Sequence, residues 1–456
     1  MGKKYNFDYI IIGGGPAGYT AAFTLAKTKK RIALVEESIY DDNFISRDIP
    51  YATSLDFAHT FFKFTHYPEM SGQDLHYNFP TIVAHQNTVI NSFLEEQKTL
   101  LEKNNITHIE GHAHFLNSHT IAVNDVQYSS ETFILATGSE LKTTGIAGLE
   151  TSKYLTPTTA IRIRRLPKYA FIIGGGPTGC EIATYYAELG AKVIIMEKEP
   201  RLLPREDEET SACLTEYFTH KLGILVVANA EVVAIEEDNF SKRLIFRFNN
   251  SEKMVRVDTI VLATGTKPVT NYGLENAGVK YKDTGISSNR LFQTSAKHIY
   301  AIGDCLGGES STDRAELDAT TLSGNLINNS KTLVNYKGLI RLTRTNPAIA
   351  TVGRTEEELT HSKQKFNKVT VKLDEATAGK IYHQNYGFVK LLASKAGNIL
   401  GACIVAPEAG LLAQELALAI RHNLTALEIA STPHLANTDS EVIRLAAKKL
   451  LTKKRK

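Results

Sequence analysis

One motif occurs twice in this chain, and it constrains the fold more than any other feature. In the first copy, an apolar strand pattern leads into Gly13, Gly15 and Gly18, a helical pattern follows, and a second strand pattern ends at Glu36. The first glycine permits a tight turn, the second lets the backbone approach a pyrophosphate, and the third lets the helix pack against the strand. The helix N-terminus then faces the phosphate charge, and an acid such as Glu36 accepts hydrogen bonds from a ribose.

The second copy consists of Gly174, Gly176 and Gly179, again between a strand pattern and a helix pattern, with the acid Glu197 after the next strand. The offsets agree, since 174 − 13, 179 − 18 and 197 − 36 are all 161. A single copy would be weak support, because glycine-rich structural turns are about as common. Two copies with equal spacing predict two dinucleotide-binding sites.

Three other strand patterns end in short polar motifs. Two of them are followed by the same tripeptide, Ala136-Thr137-Gly138 and Ala263-Thr264-Gly265, and a third ends in Gly303-Asp304. The repeated tripeptide is typical of the exit from a dinucleotide-binding domain. An acid at the carboxyl end of a strand points into the ligand crevice of such a sheet.

These motifs, in this order, resemble those of the flavoprotein disulfide reductases, the class I pyridine nucleotide-disulfide oxidoreductases that include lipoamide dehydrogenase, mercuric reductase and the soluble transhydrogenase. The C-terminal third is similar to the family's interface domain, around Pro347–Gly353 and around Lys390 and Gly401. The resemblance implies an α/β fold with two Rossmann-like domains, for FAD and NAD(P), and a C-terminal α+β dimerisation domain. It implies an FAD domain at 1–150 and 280–335, an NAD(P) domain at 151–279, an interface domain at 336–456, and a homodimer.

The resemblance also assigns the cofactor-binding residues. For FAD these are Gly13, Gly15, Pro16, Ala17, Gly18, Glu36, Ala136, Thr137, Gly138, Gly303 and Asp304. For the nicotinamide cofactor they are Gly174, Gly176, Thr178, Gly179 and Glu197, with Gly265 as a further cofactor residue.

Glu197 bears on the choice of nicotinamide cofactor. Its carboxylate suits a free 2′-hydroxyl and would repel a 2′-phosphate, so NADH is favoured. Three basic residues follow it, Lys198, Arg201 and Arg205, which leaves NADPH open. The alternative for these basic residues is a solvated loop.

The chain departs from the family where the family does its disulfide chemistry. Alignment on Ile49-Pro50 puts Asn43 and Asp48 at the two redox cysteines and Ala52 at a nearby lysine, and residues 1–179 contain no cysteine. Alignment on Ser440-Glu441 puts Ala436 at the catalytic histidine, while His434, two residues earlier, is predicted to be structural. A thiolate and a base are both needed for thiol exchange, so ordinary disulfide reductase activity is predicted to be absent.

The nicotinamide side of the flavin chemistry is predicted to survive. Glu181 occupies the position of the family's glutamate beside the nicotinamide, although a helix N-terminal acid favoured by the dipole is the alternative. Asp48 and Tyr51 are candidates to shape an acceptor pocket, or they fill space left by the cysteines. Cys180 and Cys305 are predicted to be small buried residues without a redox role.

The sequence therefore predicts an FAD-dependent NAD(P)H:acceptor oxidoreductase, with NADH favoured. Electrons would pass from flavin directly to a quinone, oxygen, another nicotinamide or a similar small acceptor. The alternative is a catalytically silent, flavin-bound dimer that acts as an NADH sensor or scaffold.

Bulk properties exclude several other classes. The formal net charge of +3 does not indicate a nucleic-acid partner, and no apolar stretch reaches the length of a membrane span. The four cysteines lie far apart, which predicts no sequence-local metal site and is typical of a cytoplasmic protein.

Overall fold

The computed structural model describes residues 5–37, 44–66, 76–143, 145–237 and 242–453, with the backbone alone for 44–50 and 453. These residues form two compact units. Unit 1 comprises Met1–Ser54, Asn78–Lys142 and Gly265–Tyr336; unit 2 comprises Leu55–Tyr77, Thr143–Thr264 and Lys337–Lys456. The predicted domain boundaries are finer than this division and stay predictions.

Unit 1 is built on a seven-stranded sheet. Its strands are β1 (Phe7–Ile12), β2 (Ile32–Glu36), β3 (Ile106–Glu110), β4 (Ala113–Asn117), β5 (Thr120–Val123), β6 (Val126–Leu135) and β18 (Ile299–Ala301). Strands β3, β2, β1, β6 and β18 are parallel neighbours in that order, and β5 and β4 extend the sheet from β6 as an antiparallel meander.

The parallel part of this sheet is buried on both faces. Ile10 and Ile12 of β1 lie in one apolar cluster, and Ile11, between them, lies in another on the opposite face. A strand buried on both faces is a continuous apolar run, which explains the sequence of β1. Among the described residues, the α-helices that lie wholly in unit 1 are α1 (Pro16–Ala26), α3 (Phe79–Lys103) and α7 (Thr312–Asn328).

Two short strand pairs complete unit 1. They are β7 (Ser139–Leu141) with β15 (Thr266–Pro268), and β16 (Tyr281–Lys282) with β17 (Gly285–Ile286). Because β7 and β15 follow the two Ala-Thr-Gly tripeptides, the two repeats leave their strands through segments that hydrogen-bond to each other.

Unit 2 contains a second parallel sheet, in the order β10, β9, β8, β14. Its strands are β8 (Tyr169–Ile173), β9 (Lys192–Met196), β10 (Leu225–Val227) and β14 (Thr259–Leu262), with helices α4 (Pro157–Ala160), α5 (Pro177–Glu188) and α6 (Glu208–His220). The offset of 161 recurs in the pairing, since Ile12 lies opposite Val35 and Ile173 lies opposite Met196.

Unit 2 also holds two antiparallel sheets. The three-stranded one consists of β11 (Ala230–Glu237), β12 (Lys242–Phe248) and β13 (Ser251–Val257). The five-stranded one, ordered β19, β20, β23, β22, β21, consists of β19 (Ile340–Thr343), β20 (Ala348–Gly353), β21 (Phe366–Lys372), β22 (Phe388–Ser394) and β23 (Ile399–Ala406).

The five-stranded sheet carries the helices of the C-terminal third. These are α8 (Glu356–His361), α9 (Thr377–Ile381), α10 (Ala409–Arg421), α11 (Ala426–Ser431) and α12 (Ser440–Lys453). Leu391 and Ile404 of the sheet pack in one cluster with Leu416 of α10 and Ile443 of α12. The predicted fold class, two Rossmann-like sheets followed by an α+β domain, is confirmed.

One helix contributes residues to both units. It is α2 (Phe44–Thr65), and the division between the units falls after Ser54. Among the helices that the structure describes, none combines the length and apolar character needed to cross a bilayer.

Candidate dinucleotide-binding sites

The first glycine turn is fixed by close backbone contacts in unit 1. Gly13 has a φ of +114°, and a Cβ added to it would lie 2.1 Å from the carbonyl oxygen of Ala136. A Cβ on Gly18 would lie 1.8 Å from the carbonyl oxygen of Gly13. Both glycines are therefore required by the fold, because any larger residue would force the helix away from the strands.

Gly15 differs from its neighbours. Its φ of −89° suits any residue, and an added Cβ would meet no atom within 4 Å. The space beside it lies at the N-terminus of α1, which begins at Pro16 and Ala17 and has no acidic residue in its first turn. Free amide groups and open space at a helix N-terminus suit a pyrophosphate, so the residues here fit the diphosphate of FAD.

Glu36, at the end of β2, has one occupied carboxylate oxygen and one free one. Its Oε1 accepts hydrogen bonds from the Tyr19 hydroxyl and from His108 Nε2, each at 2.8 Å. Its Oε2 is buried and has no hydrogen-bond partner among the described residues. An orphaned buried acceptor is costly, and a ribose hydroxyl would satisfy it.

The remaining residues predicted for FAD gather at the carboxyl ends of β1, β6 and β18. A Cβ on Gly303 would lie 3.4 Å from the Cβ of Ala17, so these two predicted residues are neighbours. Asp304 accepts a hydrogen bond from the Ser139 hydroxyl at 3.0 Å. Thr137 donates its hydroxyl to the Val269 carbonyl at 2.8 Å.

Two glycines follow the exits from the repeats. Gly138 and Gly265 have φ values of +68° and +87°, and neither would place a Cβ within 4 Å of another atom. Positive φ explains why glycine stands at both positions. The structure thus groups the residues predicted from the first motif, the first tripeptide and the Gly-Asp motif in unit 1.

The second turn, in unit 2, repeats the geometry of the first. A Cβ added to Gly174 would lie 2.3 Å from the Ala263 carbonyl oxygen. A Cβ added to Gly179 would lie 1.9 Å from the Gly174 carbonyl oxygen. On Gly176 it would meet nothing within 4 Å. Helix α5 begins at Pro177 and Thr178 without an acid in its first turn, so the space beside Gly176 fits a second pyrophosphate.

Glu197, directly after β9, is held by the backbone. Its Oε2 accepts from the Gly175 amide at 2.5 Å and its Oε1 from the Glu199 amide at 2.8 Å. Of the basic residues that follow, Arg201 donates to Glu357 Oε1 at 2.6 Å, whereas the side chain of Lys198 is 69% exposed. Arg201 is thus already paired with a carboxylate, which makes it a poor receptor for a 2′-phosphate.

Glu181 lies in α5 beyond the first turn of the helix. The helix dipole acts mainly within that turn, so it does not account for this acid. Glu181 is 7% exposed, and its Oε1 accepts a hydrogen bond from the backbone amide of Arg344, directly after β19, at 2.7 Å. A backbone donor therefore holds Glu181.

The predicted acceptor-side residues lie at the start of α2. Tyr51 is 8% exposed, so it is buried there. The backbone of Asp48 belongs to the helix, but its side chain lies outside the described part of the chain, as does all of Asn43.

Burial raises the pKa of all four cysteine thiols. The pKa of Cys305 and that of Cys403 rise to about 12, chiefly through desolvation. Desolvation also raises the pKa of Cys180 well above its usual value and that of Cys213 less strongly. None of the four is in a disulfide, and none is prepared as a thiolate at neutral pH.

The ring of His434 is buried in unit 2. Its side chain is 2% exposed, with Nε2 3.1 Å from Glu415 Oε1 and Nδ1 2.9 Å from the Thr432 carbonyl oxygen. The Nε2 atom makes no hydrogen bond among the described residues despite its distance to Glu415, and the structural role of His434 stays a prediction.

Three residues at these sites were not predicted from the sequence: Tyr19, His108 and Arg344. Tyr19 and His108 contact the first acid, and Arg344 contacts Glu181. The position of Tyr19 directly after Gly18 could have indicated its place at the first site. The contacts of His108 and Arg344 depend on tertiary structure, which the sequence pattern does not show.

Comparison with known proteins agrees with this geometry. The family model described as pyridine nucleotide-disulphide oxidoreductase matches residues 7–319, and the model of its dimerisation domain matches residues 340–447. The chain belongs to this family. Its members are FAD-dependent NAD(P)H oxidoreductases, and the dimerisation domain supports a homodimer.

Several relatives extend over nearly the whole chain. Dihydrolipoyl dehydrogenase from Chlamydia pneumoniae is 30% identical over 454 residues, covering 96% of this chain and 95% of that protein. Mercuric reductase from Bacillus cereus is 27% identical over 451 residues, covering 97% of this chain and 71% of that protein.

A solved structure is also similar. It is a Cu(II) complex of the HOCl-induced flavoprotein disulfide reductase RclA from Escherichia coli, with a TM-score of 0.88 and 24% identity. It covers 98% of this chain and 100% of that one, and at this identity the likeness shows the fold alone.

Proposed function

We propose that this protein is an FAD-dependent oxidoreductase that takes hydride from NADH and passes electrons from flavin directly to a non-disulfide acceptor. The observation that carries the proposal is the pair of matched glycine turns in a chain without a cysteine before Cys180. The turns supply two dinucleotide sites, and the missing cysteines remove the family's relay between flavin and disulfide.

The reductive half-reaction needs positioning more than it needs acid–base groups. FAD, when bound, supplies a two-electron acceptor for the hydride. The protein's own part is to bind the two diphosphates at Gly15 and Gly176 and to keep the acids Glu36 and Glu197 available to the two riboses. The backbone amide of Arg344 keeps Glu181 in a fixed position.

The preference for NADH follows from the surroundings of Glu197. Glu197 is 6% exposed and its carboxylate is fixed by two backbone amides, so the carboxylate cannot swing away from a 2′-phosphate. Arg201, which could have neutralised such a phosphate, is paired with Glu357. Repulsion between the buried Glu197 carboxylate and the 2′-phosphate should therefore weaken the binding of NADPH relative to that of NADH.

The oxidative half-reaction proceeds without a thiol. With a quinone as acceptor, NADH, one proton and the quinone give NAD⁺ and the hydroquinone, which balances two electrons and two protons. Asp48 and Tyr51 stay candidates to line the acceptor pocket. The raised pKa values of the four thiols argue against a replacement thiolate elsewhere in the chain.

A cytoplasmic location and a small-molecule acceptor also stay proposals. Quinones, oxygen, a second nicotinamide and small dye-like oxidants are acceptors that require no thiol. The relatives' names refer to dihydrolipoyl groups and mercuric ion, and these names describe those proteins.

Stopped-flow reoxidation of the NADH-reduced protein tests the proposal. The reduced flavin should be reoxidised rapidly by a quinone, by oxygen or by a nicotinamide, and slowly by small disulfides. A matched control is the same protein after N-ethylmaleimide treatment, whose reoxidation rates should be unchanged. Rapid turnover of a small disulfide would overturn the proposal, and a flavin that NADH never reduces would favour the sensor or scaffold.

A further inference from the structure

The two acids predicted to bind ribose, Glu36 and Glu197, accept hydrogen bonds from different kinds of donor, although their glycine turns match. Both oxygens of Glu197 accept backbone amides. Glu36 has two side-chain donors on one oxygen and none on the other. The residue equivalent to Tyr19 in the second copy is Cys180, whose thiol contacts the Gly175 carbonyl and not the acid.

The donors on Glu36 occupy Oε1 fully. A carboxylate oxygen accepts about two hydrogen bonds, and the Tyr19 hydroxyl and His108 Nε2 supply two at Oε1. Burial, with the nearby Glu36 carboxylate, raises the pKa of Tyr19 far above its usual value, so Tyr19 stays a donor at any physiological pH. A carboxylate only accepts, so His108 carries a proton on Nε2.

The second oxygen of Glu36, Oε2, is buried as well as unpaired among the described residues. The Glu36 side chain is 4% exposed, and a Cβ placed on Gly14 would come within 1.7 Å of Oε2. The absence of a side chain at Gly14 therefore provides the space that Oε2 occupies. With Oε1 held by two donors, Oε2 is the oxygen left to accept a ribose hydroxyl.

We propose that Tyr19 and His108 are positioning residues that fix Glu36 so that Oε2 alone receives the adenosine ribose of FAD. The inference rests on the proposed function, because it takes the first glycine turn as the FAD site. It predicts that FAD binding depends on two side chains at its acid, whereas NADH binding, with an acid held by backbone amides, has no such dependence.

The test measures dissociation constants of apoprotein for FAD and for the FAD analogue without the adenosine 2′-hydroxyl. Wild-type protein should bind FAD at least about tenfold more tightly than the analogue, the cost of one hydrogen bond to a charged group. In Tyr19→Phe and in His108→Leu, FAD should bind several-fold more weakly, and the discrimination should fall to about twofold because the mobile carboxylate no longer selects for that hydroxyl.

Matched variants separate positioning from packing. His108→Gln places an amide nitrogen near the position of Nε2 and should restore the discrimination lost in His108→Leu. Tyr128→Phe removes a hydroxyl from a ring that packs on Phe7, away from Glu36, and should behave as wild type. The NADH dissociation constant, measured in the same samples, should be unchanged in every variant. An unchanged value shows that the variant has folded.

The outcomes are distinguishable from failure of the proposed function. Wild-type protein that binds no FAD would end the proposed function and this inference together. If wild-type protein binds FAD, and Tyr19→Phe and His108→Leu keep full discrimination against the analogue, the positioning role is wrong while the proposed function stands. Loss of discrimination in both variants with rescue by His108→Gln supports it.

Discussion

Gly176 offers a direct test of the second dinucleotide site, because the fold itself does not require glycine there. Its φ is −72°, and an alanine Cβ would meet no atom within 4 Å. Relative to a good N-cap, alanine costs typically about 1 kcal/mol and glycine a few tenths, and loss of glycine's freedom in the unfolded chain returns about 0.4–1 kcal/mol. Gly176→Ala should therefore change the free energy of unfolding by less than about 1 kcal/mol.

Its effect on the nicotinamide cofactor should be much larger. The added methyl group occupies the space in which the pyrophosphate would contact the backbone at the start of α5. Loss of a hydrogen bond to a charged group costs about 1.5–3 kcal/mol, and each 1.4 kcal/mol is about tenfold in affinity. The NADH dissociation constant should rise about 10- to 100-fold, while FAD content stays at the wild-type level.

The assay is NADH titration of the oxidised protein in the absence of turnover, with thermal unfolding measured on the same samples. Gly179→Ala is the contrasting control, since its Cβ would lie 1.9 Å from the Gly174 carbonyl oxygen and should destabilise the protein itself. If Gly176→Ala binds NADH within about twofold of wild type, no pyrophosphate lies beside this residue and the reasoning fails.

Three further predictions concern the acids and the buried thiols. If Glu181 has its predicted place beside the nicotinamide, Glu181→Gln should slow flavin reduction by NADH about tenfold with little change in NADH affinity; stopped-flow absorbance measures both. Glu197→Ala should raise the dissociation constant of NADH about tenfold and that of NADPH less, so the preference for NADH over NADPH should fall. The pKa of Cys305 is raised to about 12, so its contribution to stability is complete below the unfolded pKa of about 8.5 and is lost as pH rises towards 12. At pH 10 the loss is about 2 kcal/mol, and chemical denaturation of Cys305→Ala should show a correspondingly smaller fall between pH 8 and pH 10.

The doubled turn could be predicted from the sequence because its glycines and its acid recur with one spacing. Glycine is required at positions 18 and 179 by a carbonyl oxygen five residues earlier, whereas positions 13 and 174 are restricted by the carbonyl oxygens of Ala136 and Ala263, much later in the chain. The spacing between glycines and acid reflects one strand–helix–strand unit. Pattern and spacing therefore sufficed for the fold class and for the family.

The surroundings of the acids could not be predicted in the same way. His108 reaches Glu36 because β3 pairs with β2 so that Leu34 lies opposite His108, and residues two apart on a strand share a face. That register is a tertiary property, because the two partners are separated by 72 positions in the sequence. The contact between Glu181 and Arg344 spans 163 residues, again beyond any local signal.

The loss of the dithiol is a different kind of inference. It rests on residue identities alone, since a chain segment without cysteine cannot hold a disulfide whatever its conformation. The structure adds that the four cysteines present elsewhere have raised pKa values, which the sequence could suggest only through their apolar neighbours.

Anaerobic titration of the FAD-loaded protein with NADH shows whether the flavin is the only redox centre that NADH reduces. Flavin alone takes up two electrons, so the account predicts that the oxidised flavin band disappears completely at about one equivalent of NADH per FAD. A band that persists at excess NADH, or an end point near two equivalents from a second two-electron centre, would contradict it.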